Sequence, residues 1–314
     1  MIDIFSYPVW AVLDSLLQDK TTKQNIIFAT DAYAGLGDGY GERDYITKEK
    51  LTDYSRIITL QSRVEKAAET QQARTRKKAE VFTPSWIVNK MNNHCDTEWF
   101  GRENVFNTEE GQTWITNREP IVFDGGRTWQ NYADSKRIEI TCGEAPYIVS
   151  RYDAATGEII PIENRIGILD RKLRVVSENA ESDEEWLKWT QRAFESSYGY
   201  EYQGDNLLIA RINVLLTFTE YYEARFHERA DLPSLKKYAE IISWNFWQMD
   251  GLTGTIPYAE PEPPESDQLD LFGDMGESIK PETPEAPAAP VCRIKDWRAG
   301  SIVSYDTIRG GSTQ

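Results

Sequence analysis

Strand-like runs alternate with helical stretches in the middle of this chain. Residues 137–141 (RIEIT) alternate apolar and polar side chains, and residues 198–202 (YGYEY) resemble a short buried strand. Helical stretches cover about 165–197 and 205–226, and the second is apolar on nearly all faces, which is typical of a helix packed on a sheet. Residues 238–249 (YAEIISWNFWQM) are predicted as a further strand region. This alternation predicts an α/β fold with βαβ units and a mostly parallel sheet.

Composition divides the chain into four parts. Residues 1–78 are predicted to be an N-terminal, largely helical region, because residues 9–17 form an apolar helical stretch and residues 47–78 are rich in helix formers. Residues 79–256 hold the alternating strands and helices and form the predicted main domain. Residues 257–290 contain 8 of the 14 prolines and many acidic residues, so we expect a disordered linker. Residues 291–314 begin with a strand-like run, VCRIKDW, and end in a polar tail.

The charge of the chain is concentrated in the linker. The net charge is −16, from 35 basic and 51 acidic residues, and such a balance normally argues against binding nucleic acid. Residues 259–285 hold nine acids against one lysine, which accounts for half of the net charge. The rest of the chain is mildly acidic and has one basic run, Arg74, Arg76, Lys77 and Lys78. This run is a candidate DNA contact, and the alternative is a solvated helix face.

Cysteine, histidine and apolar content indicate the compartment. Three cysteines, Cys95, Cys142 and Cys292, lack metal-ligand spacing and are too few for a disulfide framework. Two histidines cannot build a His-rich metal site, so no metal is predicted. No apolar run reaches the length of a membrane span, and the first residues lack a basic leader. We therefore expect a cytoplasmic protein without a membrane partner.

Three segments, taken in order, resemble a known family. They are AEVFTP at 79–84, IEITCGEAP at 138–146 and YGYEYQGDNLLIARINVL at 198–215. Together they resemble the cofactor-binding half of adenine-specific DNA methyltransferases of restriction-modification systems, of the restriction endonuclease subunit M type. The resemblance covers about residues 79–256. It implies a Rossmann-like, S-adenosylmethionine-dependent methyltransferase core.

The segment after the first predicted strand carries the main cofactor motif. Where the family shows D-P-x-C-G-x-G, this chain has Glu139, Ile140, Cys142, Gly143 and Ala145. The Cys-Gly pair is retained, the acid is longer by a methylene, and the last glycine is replaced by alanine. Small residues at this turn let the backbone approach the ligand. The resemblance assigns Glu139, Cys142 and Gly143 to S-adenosylmethionine binding.

Four further residues are implied at the same site. Glu201 ends the YGYE strand and is expected to accept hydrogen bonds from the ribose hydroxyls. Asp250 resembles the third-strand acid that meets the amino group of the cofactor's adenine. Phe82 and Thr83, from the preceding signature, are expected to close over the cofactor.

The family's catalytic turn, (D/N/S)-P-P-(Y/F/W), is missing from this sequence. In the family, this turn orients the target amine and stacks on the flipped base. Asp296 and Trp297 follow the strand-like VCRI and are candidates for a nonstandard catalytic turn, and the alternative is an edge strand with a surface acid. Recognition of a DNA target sequence is expected to come from residues 1–78, from a specificity or catalytic partner subunit, or not to occur at all.

The linker carries a second signal, QLDLF. Its residues Gln268, Leu269, Leu271 and Phe272 match the pentapeptide that docks bacterial replication and repair proteins on the sliding clamp. Burial of Leu271 and Phe272 would contribute about 1.5–3 kcal/mol each, in an extended peptide of roughly micromolar affinity. The alternative is an accidental apolar pair, or a segment that packs on its own domain. The motif suggests a bacterial, phage or mobile-element host.

These observations predict a DNA adenine methyltransferase-like modification subunit that uses S-adenosylmethionine. Its expected partners are double-stranded DNA, the sliding clamp and a specificity or catalytic partner subunit. Tethering to the clamp would raise the local concentration of the chain near DNA. A methyltransferase-fold module that is catalytically silent and recruited to the clamp is the alternative. Methylation of a substrate other than DNA is a third hypothesis.

Overall fold

The computed structural model describes residues 4–53, 83–259 and 290–309. Its α-helices are α1 (Val9–Leu17), α2 (Lys48–Thr52), α3 (Ser85–Phe100), α4 (Trp129–Ala133), α5 (Ile168–Asn179), α6 (Asp183–Glu195), α7 (Gly204–Phe226), α8 (Leu232–Asn245) and α9 (Tyr305–Arg309). Its strands are β1 (Asn107–Glu110), β2 (Thr113–Thr116), β3 (Arg137–Ile140), β4 (Ser197–Glu201), β5 (Phe246–Gln248), β6 (Arg293–Asp296) and β7 (Ser301–Ser304).

A parallel sheet of three strands, in the order β3-β4-β5, lies at the centre of the fold. Ile140 pairs with Tyr200, and Tyr200 pairs with Trp247, so the carboxyl ends of the three strands lie at the same end of the sheet. Helices α5 and α6 connect β3 to β4, and α7 and α8 connect β4 to β5. The predicted α/β class and parallel pairing are therefore confirmed for these strands.

Helices α7, α8 and α1 build the main core on one face of the sheet. Most of α7 is buried because it lies between the sheet and the neighbouring helices. Leu16 of α1, Leu215 of α7, Ile242 of α8 and Phe246 of β5 belong to one buried cluster. The N-terminal residues thus share a core with the parallel sheet.

The side chain of Gln248 ties the N-terminal segment to the end of the sheet. Its amide nitrogen donates to Ile27 O (2.9 Å) and Tyr202 O (2.8 Å), and its amide oxygen accepts from Ile27 N (2.9 Å). Each polar atom of this buried amide therefore has a backbone partner. This arrangement fixes the backbone around Ile27 beside the carboxyl end of β5.

The antiparallel β6–β7 hairpin covers part of the other face of the sheet. Tyr198, Tyr200, Trp247 and Met249 form a buried cluster with Cys292 and Ile294 from the hairpin segment. The hairpin covers β4 and β5, while the isoleucines of β3 on this face stay exposed. The hairpin therefore covers this face of the sheet over β4 and β5 but leaves β3 uncovered.

The predicted strand region at 238–249 is wrong in its first part. Residues up to Asn245 belong to α8, which begins after Asp231, whose carboxylate accepts from the Ser234 N–H at 2.9 Å. Leu235, Tyr238 and Ile242 recur at helical spacing and are buried, and this periodicity explains the helix. Only Phe246–Gln248 forms a strand.

None of the helices in the described ranges has both the length and the apolar character that crossing a membrane requires.

Candidate functional site

The loop after β3 meets the carboxyl end of β4. The Cys142 N–H donates to Tyr200 O at 2.8 Å, and the Gly143 N–H donates to Glu201 Oε2 at 2.9 Å. Gly143 adopts a φ of +51°, and a Cβ added there would meet nothing within 4 Å. The backbone at Gly143 therefore faces open space at the carboxyl end of the parallel sheet.

The carboxylate of Glu201 organises two loops at once. Its Oε1 accepts from the N–H groups of Tyr202 (2.9 Å) and Gln203 (3.1 Å), while its Oε2 accepts from Gly143. The residue is buried, and hydrogen bonds to a charged carboxylate are stronger than those between neutral groups. Glu201 thus joins the loop after β3 to the start of α7.

Glu139 holds the other end of the loop after β3. Its carboxylate accepts from the N–H groups of Tyr147 (3.3 Å) and Ile148 (3.2 Å). Burial raises the pKa of Glu139 well above its usual range, the two backbone N–H groups oppose that change, and nearby Glu201 adds to it. Glu139 and Glu201 therefore fix the loop from both of its ends.

Tyr147 connects Thr83 to this loop. The Tyr147 phenol lies 3.1 Å from Met91 Sδ and forms a hydrogen bond with the Thr83 side chain. Partial burial is the main cause that raises the pKa of this phenol. Tyr147 was not predicted as a site residue, and the only signal for it is its position four residues after Gly143. The structure brings Thr83 to the site through this tyrosine.

A cavity of about 910 Å³ lies between α3 and β3. Its lining includes Lys90, Met91, His94, Glu139, Thr141 and Tyr147. This volume is in the range of small-molecule sites. Gly143, Glu201 and Asp250 do not line the cavity, so it adjoins the Glu139 side of the loop.

Cys142 and Asp250 have local structural contacts. Cys142 is buried, and a Cβ added at Gly199 would come within 3.0 Å of the Cys142 Cβ, so the Cys142 side chain packs directly against Gly199 of β4. Burial raises the pKa of this thiol well above its usual range. Asp250 follows Met249, whose N–H donates to Glu201 O at 3.0 Å, and the Asp250 carboxylate accepts from the Leu252 N–H at 2.8 Å. Asp250 lies at the same carboxyl end of the sheet, and its carboxylate is held within the turn that Asp250 and Leu252 form.

Asp296 and Trp297 lie at the opposite end of the sheet. Asp296 Oδ2 is 3.2 Å from the ammonium of Lys136, which immediately precedes β3, and Asp296 Oδ1 accepts from the Arg298 N–H at 2.9 Å. The Trp297 indole donates to Asn245, the residue before β5, at 2.7 Å. Since a strand advances roughly 3.3 Å per residue, the length of β3 separates this pair from Gly143. The structure does not bring Asp296 and Trp297 to Glu201.

Several predicted site residues lie outside the described residues. They are the cofactor candidate Phe82, the DNA-binding candidates Arg74, Arg76, Lys77 and Lys78, and the clamp-binding candidates Gln268, Leu269, Leu271 and Phe272. Their roles stay predictions from sequence.

Comparison with protein-family models, curated proteins and solved structures finds no match. Any function assigned to the chain therefore depends on the contacts described above and on the sequence motifs.

Proposed function

We propose that this chain is an S-adenosylmethionine-dependent modification subunit of the adenine-specific DNA methyltransferase type, with a Rossmann-like core. The observation that carries the proposal is the hydrogen bond from the Gly143 N–H to the Glu201 carboxylate. It joins the ends of two adjacent parallel strands, and ligands of open α/β sheets bind outside these carboxyl ends.

The residues at the carboxyl end of the sheet fit the proposed cofactor. Gly143 has open space where a side chain would otherwise stand, which suits close approach of a nucleoside to the backbone. Glu201 ends the second strand of the sheet, where an acid can accept from ribose hydroxyls. Asp250 is proposed for the adenine amino group, and Thr83 for the methionine side through Tyr147. S-adenosylmethionine, when bound, supplies a methyl group on a positively charged sulfur.

Glu139 and Cys142 complete the proposed site by positioning. Glu139 holds the N–H groups of Tyr147 and Ile148, and Cys142, the residue before Gly143, packs against Gly199 of β4. Both residues would hold the backbone of the turn around Gly143 in its conformation.

The proposed partners are double-stranded DNA and the bacterial sliding clamp. The chain carries a net charge of −16, which disfavours direct binding of a duplex. QLDLF at 268–272 would dock the chain on a ring that already encircles DNA. Tethering turns a weak second contact into an intramolecular one. The basic run at Arg74–Lys78 would then contact phosphates.

One observation favours a second candidate function, a catalytically silent module that binds the cofactor and the clamp. Asp296 and Trp297, the candidates for the catalytic turn, contact Lys136 and Asn245 at the amino ends of the strands. The two candidates differ in methyl transfer alone.

Transfer of a tritiated methyl group from S-adenosylmethionine to double-stranded DNA distinguishes the candidates. A modification subunit gives labelled DNA with the wild-type chain, and Glu201→Gln loses the label while Glu195→Gln keeps it. Cofactor binding without labelled DNA supports the silent module. Label in protein or RNA but not in the duplex indicates another substrate.

A further inference from the structure

One edge of β3 has no neighbouring strand within the described part of the chain. β3 pairs with β4 alone, and the Arg137 N–H donates towards β4, to Ser196 O at 2.9 Å. Backbone groups of alternate residues point to opposite edges of a strand. The N–H and C=O groups of Ile138 and Ile140 therefore point away from β4.

The side chains of this strand are unusual for an edge. Ile138 is 45% exposed and Ile140 is 62% exposed, whereas all five residues of the neighbouring strand β4 are buried. Natural edge strands are often short and carry charged residues, and β3, with Arg137 and Glu139 among its four residues, has both features. Parallel strands, however, are normally covered on both faces. β3 places two isoleucines in water within a strand of four residues. Among the described residues, the two isoleucines therefore form an apolar strand face that nothing covers.

The order of the sheet indicates what is missing. Its strands follow the chain outward from β3, in the order β3-β4-β5, which is one half of a doubly wound sheet. The other half of such a sheet begins on the far edge of the first strand, and the ligand crevice lies at that junction. The edge of β3 that is unpaired within the described ranges is therefore the place where further strands would join.

No other strand in the described ranges is left to pair with this edge. Of the strands in the described ranges, β1 pairs with β2 and β6 pairs with β7. Residues 54–82 are rich in helix formers, and residues 260–289 contain six prolines, which cannot donate to a ladder. Neither sequence favours a strand.

We propose that the β3 edge docks a parallel β-strand of a second polypeptide, which extends the sheet beside Gly143. The strand pairs with the outward backbone groups of Ile138 and Ile140 and covers their side chains with apolar residues at alternate positions. Its carboxyl end reaches the crevice next to Thr141, where it can supply the catalytic groups that the described residues do not place there. This last step rests on the proposed function.

The surroundings of the edge specify the charge of the partner. The adjoining cavity is lined by the exposed carboxylates of Glu103 and Glu109 and by Lys90. The basic residues at the start of β3 already have acidic partners, since Lys136 lies 3.2 Å from Asp296 and Arg137 lies 3.9 Å from Asp96. Outside residues 259–285 the chain is also mildly acidic. A strand flanked by basic residues therefore complements this surface better than an acidic one.

Amide hydrogen exchange of the full chain, without cofactor, tests the proposal. The probe is a short synthetic peptide that alternates valine and threonine and ends in one lysine. Saturable binding is expected, with slower exchange at the amides of Ile138 and Ile140, while the amides of Arg137 and Glu139 are protected with and without the peptide. No binding up to about 1 mM, or binding without protection at Ile138 and Ile140, overturns the proposal.

Two variants at one position make the test specific. Ile138→Pro removes an outward N–H and leaves the groups that pair with β4, so peptide affinity falls by at least roughly tenfold in a chain with unchanged circular dichroism. Ile138→Thr keeps the N–H and loses apolar area, so its affinity falls less. Equal binding by wild type and Ile138→Pro contradicts strand addition.

The oligomeric state separates the proposed partner from a second copy of the chain. A monomer by light scattering, with fast exchange at Ile138 and Ile140, is expected in the absence of peptide. A dimer in which these amides are protected overturns the assignment to a different polypeptide. Because no cofactor is present, a failure of S-adenosylmethionine binding would leave the peptide result unchanged.

Discussion

The Gly143 N–H and the Glu201 carboxylate lie 2.9 Å apart, donor to acceptor, at the ends of neighbouring parallel strands. The same carboxylate accepts from Tyr202 and Gln203 at the start of α7. One buried side chain therefore sets the separation of the two backbone segments that would flank a nucleoside. The proposed cofactor site depends on this geometry.

A methyl group at Gly143 should obstruct the proposed crevice. Gly143→Ala places a side chain at a φ of +51°, so we expect a loss of about 1–2 kcal/mol in stability and a fall in cofactor affinity of at least roughly tenfold. Gly300→Ala is the matched control, because Gly300 also has a positive φ (+67°) and open space but lies in the β6–β7 turn. Calorimetric titration and urea unfolding measure the two effects. Equal cofactor affinity in both variants would argue against a ligand at Gly143.

Gly204 should be intolerant of any side chain. A Cβ at this position, the first residue of α7, would overlap the Ile27 carbonyl oxygen. We expect Gly204→Ala to lower the free energy of unfolding by about 3 kcal/mol or more, because backbone on both sides must shift. Gly35→Ala meets nothing within 4 Å and should change stability by less than about 1 kcal/mol. Thermal or urea unfolding of both variants checks the contrast, which similar stabilities would refute.

Asp170 should make stability depend on pH. Burial raises its pKa from 3.8 to about 6, although Arg165 and the Ser150 N–H oppose this change. Because the folded chain prefers the protonated acid, the contribution of Asp170 is complete below about pH 4 and is lost as the pH rises to about 6.

The variant Asp170→Asn isolates this effect because it cannot titrate. Between about pH 4 and 7, wild type should lose roughly 3 kcal/mol of stability relative to Asp170→Asn. Urea unfolding of both proteins across this range gives the difference between their free energies of unfolding. The contributions of the other titrating groups are common to both proteins and cancel in this difference. A difference that is constant with pH would show that burial does not raise this pKa.

The motif at 268–272 should bind the sliding clamp without help from the folded core. A linker peptide that contains QLDLF and the full chain should bind a purified bacterial clamp with similar, roughly micromolar affinity. Replacing Leu271 and Phe272 by alanine should abolish binding, because their burial supplies most of the free energy. Replacing Leu252, an exposed residue of the folded part, is the control. Unchanged binding after the double replacement would exclude the motif.

Elements with a single clear pattern could be predicted from the sequence. β3, β4 and α7 lie within a residue or so of their expected positions, because alternation, flanking turn residues and an apolar helix are local signals. The strand prediction for residues 238–245 was wrong because a short apolar run fits a buried helix as well as a strand. The packing of Tyr238 and Ile242 against the core decides between them.

The candidate site was harder to predict because its decisive contacts join distant residues. Glu201 was chosen for its position at a strand end, but its hydrogen bond to Gly143 spans 58 residues. Tyr147 bears no motif and reaches the site through Thr83 and Glu139. Asp296 resembled a catalytic acid, yet the direction of the β6–β7 hairpin places it beside Lys136 at the far end of β3. Sequence order alone does not state at which end of a sheet a residue will lie.

Titration of S-adenosylmethionine into the purified chain and into Glu201→Gln tests the account most directly. The matched control is Glu195→Gln, a buried glutamate that precedes β4 at the other end of the strand. The account predicts saturable binding to wild type and to Glu195→Gln, and an affinity at least roughly tenfold lower for Glu201→Gln in a folded chain. Absence of heat with folded wild type, or equal affinity in all three proteins, would contradict it.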